Sequence, residues 1–139
     1  MTAAPDPARD AFLVEAVHAL YRAWGRTDAA WIPEFIADDP RVLLIGSDAT
    51  EWWVGFESIR NEWTRARAAY GGTSLSATRL VAHSQDGLGW ATDEAEYRLG
   101  TGETGRFRLT MVFIERDARW LLIHMHASIA VPNERITPA

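Results

Sequence analysis

At 139 residues the chain is the length of one domain, and a make-up of 47% hydrophobic and 24% charged residues suits a globular protein with a buried core. A net charge of −5 excludes the basic footprint by which nucleic-acid binders release counterions from phosphates. There is no cysteine, and all 14 basic residues are arginine, so disulfides, thiolate chemistry and lysine Schiff bases are excluded together.

The seven tryptophans are many for this length; such rings line pockets and interfaces as readily as they fill cores. The N-terminus, MTAAPDPARDAF, lacks a basic region followed by an apolar core, and no run of about 18 apolar residues follows it. A cytoplasmic protein without a membrane partner is expected. The arginine and alanine bias is that of a GC-rich bacterial gene.

Taken in order, Asp6-Pro7 offers an N-cap with proline at the first helical position, and Leu13, Val17, Leu20, Tyr21 and Trp24 recur at helical spacing until Gly25. Asp28 caps a short second helix with Trp31, Phe35 and Ile36 on its apolar stripe, ending at Asp38-Asp39-Pro40. Arg41 to Ile45 predicts a buried strand, Thr50 to Val54 a short extended segment, and Phe56 to about Tyr70 a third helix stopped by Gly71-Gly72. The period then changes to two. Strands are predicted at Ser74–His83, Gly89–Leu99, Phe107–Glu115 and Arg119–Asn133, with turns at Asp86-Gly87, Gly100–Gly105 and Arg116–Arg119. Helices followed by a long antiparallel meander predict an α+β domain, with a curved sheet wrapped over a helical cap and a concave interior.

The last strand organises the rest. By strict alternation Leu121, Ile123, Met125, Ala127, Ile129 and Val131 share one face, and Trp120, Leu122, His124, His126 and Ser128 the other. Neither face carries a charge fixed at neutral pH, so both should be covered. One side then belongs to the helices or a cavity. The other, bearing His124, His126 and Ser128, is expected to form a homodimer interface.

Together IADDPRVLLIGSDATEWWVGFESIRNEW and RWLLIHMHASIAVPNE resemble the SnoaL-like branch of the nuclear transport factor 2-like superfamily, over nearly the whole chain. The resemblance implies a cone-shaped α+β fold: three N-terminal helices packed on a curved antiparallel sheet, a single SnoaL-like domain over 1–139 with its core at about 8–134. It also implies a dimer, in a superfamily that hosts isomerases, dehydratases, cyclases and non-enzymatic binders, so fold alone names no chemistry. The W-x-x-x-H-x-H-x-S spacing at Trp120, His124, His126 and Ser128 is also similar to the association domain of calcium/calmodulin-dependent protein kinase type two. That domain has an arginine between the second histidine and the serine, where this chain has Ala127. The ketosteroid isomerase constellation needs a tyrosine, a carboxylate base and a protonated aspartate; by alignment these fall on Leu20, on Leu44 and at or beside Met111. All three are apolar, which excludes that mechanism.

For a site, Glu94 and Glu96 share a strand face with Trp90 and Thr92. Depending on register they meet Arg106 and Arg108 as cross-strand ion pairs, or Phe107, Leu109 and Met111 inside the cavity. In the cavity Glu94 would suit acid/base work, as would Asp48 in the Asp48–Trp53 cluster at the mouth of the cone. Asp93 and Tyr97 take the opposite face. A ligand site is expected at Trp53, Trp90, Glu94, Met111 and Met125, taking a small apolar or aromatic molecule. His124 and His126 supply two metal ligands without a third, and neither a metal nor a cofactor is expected. The first functional reading is a small-molecule-binding protein with a tryptophan-lined cavity. The others are a cofactor-free cyclase, isomerase or dehydratase, and a dimerisation module without ligand.

Overall fold

The structure, a computed structural model, describes residues 8–136. In chain order it contains β1 (Ala8–Arg9), α1 (Ala11–Trp24), a 3-10 turn (Ala29–Trp31), α2 (Ile32–Phe35), β2 (Leu43–Ile45), β3 (Trp52–Val54) and α3 (Phe56–Tyr70). Then come β4 (Thr73–Ser76), β5 (Val81–Gln85), β6 (Leu88–Leu99), β7 (Thr104–Arg116), β8 (Arg119–Ser128) and a last 3-10 turn (Asn133–Arg135). The strands form one sheet in the order β1-β5-β6-β7-β8-β2-β3, and β4 pairs with the far half of β6. This is the expected α+β cone: helices on the inner face of a curved, unclosed sheet. One pairing departs from the antiparallel pattern, since β2 runs parallel to β8.

Local chemistry explains most of the element ends. The cap expected at Asp6-Pro7 lies outside the described residues, and α1 is instead capped by Asp10, whose Oδ1 accepts the Leu13 N–H at 2.8 Å. Asp10 Oδ2 also accepts the Ser84 hydroxyl at 2.6 Å, tying the helix start to β5. Gly71 closes α3 with φ at 73°, a conformation that costs a glycine little. The strand expected over Ser74–His83 is two, β4 and β5, broken at Ala77–Leu80 because Asp93 on β6 draws that segment to itself. Asp93 Oδ1 accepts the Thr78 N–H at 3.2 Å and the Arg79 N–H at 2.7 Å.

The inner face of β6 reads Gly89, Ala91, Asp93, Ala95. These small side chains let α1 settle directly onto the strand. A Cβ at Gly89 would come within 2.6 Å of Leu13 Cδ2, so the helix already occupies that space. Eight residues on, Tyr21 donates its hydroxyl to Asp93 Oδ2 at 2.8 Å. Leu13 to Tyr21 rises roughly 12 Å along a helix, and Gly89 to Asp93 spans roughly 13 Å of strand. Helix and strand therefore run alongside one another rather than crossing.

Around this axis the core is continuous. Trp31, Ile32 and Ile36 come from the α2 region, Ile59 and Trp63 from α3, and Leu109, Met111, Phe113, Leu122 and Met125 from the sheet. Trp31 packs against both Trp24 and Trp63, with ring centroids 5.5 and 5.4 Å away. A second anchor lies at the other end of the sheet. Asp39, nearly buried, accepts the Arg41 N–H and guanidinium at 2.8, 3.0 and 2.9 Å, and the Arg116 guanidinium at 2.9 Å. It joins the turn before β2 to the end of β7.

The alternation expected along β8 does not run through. Val112 pairs with His124 but Phe113 pairs with Leu122, leaving Ile123 unmatched in a bulge. One extra residue shifts the phase of the pleat. Leu122 therefore joins Met125 among the buried core residues, on one face rather than opposite faces. His124, His126 and Ser128 keep a common face, opposite Val112, Thr110 and Arg108.

Replacing Tyr21 with Phe should lower stability by about 1–3 kcal/mol, the cost of leaving a buried acceptor short of a donor. Urea unfolding should show a lower midpoint with an unchanged slope, because the surface exposed on unfolding is the same.

Candidate functional site

α1 and the tryptophans leave little room inside the cone. Between Trp24, Trp53 and Trp63, beside Ala66, Arg67, Gly72 and Thr73, remains a slot of only about 50 Å³. Met111 and Met125 point inward as expected, but into packed core. A hollow larger than this slot lies at the mouth. A cleft of about 430 Å³ lies between the β2–β3 turn and α3, lined by Asp48, Thr50, Glu51, Trp52 and Trp53 on one side. Ser58, Glu62, Arg65, Ala66 and Ala69 of α3 form the other side. Those five recur at helical spacing, on the stripe beside the buried Ile59 and Trp63. That stripe of small and polar residues was visible in the sequence, yet only the β2–β3 turn tells which solvent-side stripe of α3 matters.

Trp53 and Ala66 wall both the cleft and the slot. Trp53 is nearly buried, whereas Trp52 at the rim is 64% exposed, unusual for so large a ring. The turn beneath them is held by its own carboxylates. Asp48 Oδ2 accepts the Thr50 N–H at 2.9 Å and the Thr50 hydroxyl, and Glu51 Oε1 accepts the Asp48 N–H at 2.9 Å. The Thr50 hydroxyl, and then its N–H, hold the Asp48 carboxyl below its ordinary range. Asp48 therefore stays ionised and anchors the turn, a poor starting point for general acid or base work. Across the cleft Arg65 pairs with Glu62 at 3.1 Å.

Two residues expected in the cavity lie elsewhere. The register sets Trp90 opposite Val112 and Glu94 opposite Arg108, on the outer face of the sheet. Glu94 is 3.1 Å from Arg106 and 3.9 Å from Arg108, so it forms the cross-strand ion pairs rather than a cavity acid. Trp90 neighbours His83 at 5.9 Å. The carboxylate that does face inward is Asp93, and its three donors are Tyr21, Thr78 and Arg79. Burial, and then the Asp93 charge, push the Tyr21 hydroxyl far above its ordinary range, so it remains a donor.

The expected interface residues, His124, His126 and Ser128, lie on the outer face with Leu43 and Ile45 of β2 beside the two histidines. His124 Nδ1 is 2.9 Å from the Leu43 carbonyl oxygen. Among the described residues no three His, Asp or Glu side chains cluster as metal ligands, and no helix is long and apolar enough to cross a membrane.

A curved, unclosed sheet with three helices in its hollow is the nuclear transport factor 2-like fold, and solved structures agree. A nuclear transport factor 2-like protein of unknown function from Pseudomonas putida KT2440 matches with a TM-score of 0.78 at 16% identity, over 95% of this chain and 96% of that one. A candidate calcium/calmodulin-dependent protein kinase II association domain from Xanthomonas campestris matches at 0.70 and 19% identity, over 94% and 98%. A candidate dehydratase of the nuclear transport factor 2-like family from Streptomyces avermitilis matches at 0.73 and 16%, over 86% and 95%. At these identities the likeness is one of fold. Residues 13–132 match the SnoaL-like domain family, and the chain belongs to it. No functionally curated protein matches.

The electrostatics predict an acid limit. Hydrogen bonds from the Arg41 guanidinium, with its N–H and Arg116, hold the Asp39 carboxyl well below its ordinary range. Asp10 is lowered by the Ser84 hydroxyl in the same sense. A carboxyl lowered on folding contributes stability that is fully present above its unfolded pKa of about 3.9 and lost as pH falls through the folded value. The melting temperature should therefore be level above about pH 5 and fall steadily below about pH 4. Asp39→Asn should melt lower at neutral pH and lose less on acidification, as differential scanning calorimetry across pH would read.

Proposed function

We propose that this SnoaL-like protein binds a small apolar or aromatic molecule in the mouth cleft, against Trp52 and Trp53, and works as a homodimer joined through the outer face of its sheet. The observation that carries the ligand reading is the cleft itself. About 430 Å³ falls within the range of small-molecule sites, and two tryptophans and two alanines give it apolar wall. An exposed Trp52 gains from a partner that covers it.

Binding is favoured over catalysis by what the carboxylates are already doing. Glu94 is paired with arginines, Asp48 holds Thr50, and Asp93 holds α1 and the segment before β5. The enzyme reading, a cofactor-free dehydratase, cyclase or isomerase, would have to recruit one of these from its present contacts.

Titration with a panel of monocyclic and bicyclic aromatics, beginning with 2-naphthol, should quench tryptophan fluorescence and raise the melting temperature by mass action. Ala69→Trp, at an exposed position on the cleft wall, should fill the site and abolish the response without loss of folding. Trp90→Ala should leave it intact. A panel that gives no shift at millimolar concentration removes the binding reading and leaves the dimerisation module.

The dimer reading rests on the outer face. Trp52 and Val54 are 64% and 54% exposed there, beside His124, His126 and Ser128. Sedimentation at micromolar concentration should give twice the chain mass, and His126→Glu should return it to one. A wild-type monomer under these conditions would sink the claim.

A further inference from the structure

Where α3 ends, its Gly71-Gly72 turn meets the loop between β6 and β7. The Gly100 N–H donates to the Gly72 carbonyl at 2.9 Å, and a Cβ on Gly100 would fall 2.6 Å from the Gly71 oxygen. The two backbones touch, and beside them lies a hollow of about 360 Å³. Its side-chain lining includes Arg67, Arg98, Thr73 and Ser74, with glycines making up much of the rest. Two guanidinium groups wall it, and no carboxylate does.

That is unusual in a chain with 19 acidic and 14 basic residues. Arg26, Arg41, Arg60, Arg65, Arg106, Arg108 and Arg116 each have a carboxylate within 4.0 Å. Arg67 and Arg98 find none among the described residues. Arg67 is nonetheless held in place. Its guanidinium lies 5.8 Å from the Trp63 ring centroid and makes one long bond, 3.4 Å, to the Gly25 carbonyl. A Cβ at Gly72 would fall 2.6 Å from its Nη1, so glycine there leaves the space the guanidinium fills. One long bond leaves most of its five N–H donors unused.

We propose that this hollow is an oxyanion site, taking the phosphate group of a phosphorylated small molecule between Arg67 and Arg98. Acceptor count selects phosphate over carboxylate. A phosphomonoester offers three terminal oxygens to two guanidinium forks, whereas the two oxygens of a carboxylate are satisfied by one fork. The ends of α1 and α3 both point here, and each contributes a partial charge of about −0.5. Together these offset about one of the two positive charges and leave the hollow attractive to an anion. The hydroxyls of Thr73 and Ser74 add donors on the same wall. Because Arg67 also borders the slot between Trp24, Trp53 and Trp63, an apolar group carried on the phosphate has tryptophan surface next to it. The site differs from the mouth cleft in wall and in charge, and either can exist without the other.

The test is a titration with inorganic phosphate at constant ionic strength, with sodium chloride and sodium acetate as matched controls. Phosphate should broaden its own ³¹P signal saturably and raise the melting temperature at millimolar concentration, beyond either control. Arg98→Gln, at an exposed position near the end of β6, should weaken the response at least about fivefold while leaving the unliganded melting temperature unchanged. Arg67→Gln should do the same, and if it also destabilises the fold, Arg98→Gln decides. A response to chloride equal to that to phosphate, or an undiminished response in Arg98→Gln, overturns the site. An acetate response equal to the phosphate response overturns the assignment to phosphate.

Discussion

The contact on which the structure depends is the seat of α1 on β6. A row of small side chains, Gly89, Ala91 and Ala95, lets the helix backbone approach the sheet, and the Tyr21–Asp93 hydrogen bond fixes where along the strand it stops. Asp93 then uses its other oxygen to gather the segment between β4 and β5. One buried carboxylate thereby joins three parts of the chain, and a buried acceptor short of one donor costs about as much as a typical destabilising substitution. The consequence reaches function. A helix pressed this closely to the sheet, with its own Trp24 packed against Trp31 and Trp31 edge-on to Trp63, fills the hollow that a curved sheet would otherwise leave.

Open volume is thereby displaced to the rim. The mouth cleft, the slot behind Trp53 and the arginine-walled hollow follow one another along α3, sharing Trp53 and Ala66 at one junction and Arg67, Gly72 and Thr73 at the next. The same helix supplies Ile59 and Trp63 to the core and Glu62, Arg65 and Ala69 to the cleft. Two outcomes of helical periodicity, a packed face and a lining face, come from one amphipathic segment.

Much of this was legible in the residues. The three helices, the turns at Asp86-Gly87 and Asp117-Ala118 and the curved sheet over a helical cap followed from period, caps and breakers, and the cone with its tryptophan-rich mouth from the resemblance to the SnoaL-like branch. What could not be read was phase. Whether Glu94 meets Arg108 or Met111 turns on a single residue of register, and the loop between β6 and β7 sets that register through its own backbone geometry. The bulge at Ile123 is likewise silent in composition, because Leu121, Leu122 and Ile123 fit either face equally well. Asp93 was assigned to the face opposite Glu94. Its role as a clip needed Tyr21 from a helix 72 positions earlier, a separation that no local pattern spans.

On the proposed reading a small ligand sits at the mouth and not inside the cone. The direct test is a titration with 2-naphthol followed by NMR, using ¹⁵N-labelled tryptophan indoles and ¹³C-labelled methionine methyls. The account predicts that the Trp52 and Trp53 indole signals move with added ligand while the Met111 and Met125 methyls, buried under α1 and α3, stay where they are. Methionine methyls shifting together with the Trp31 indole would show a ligand in the interior and contradict it.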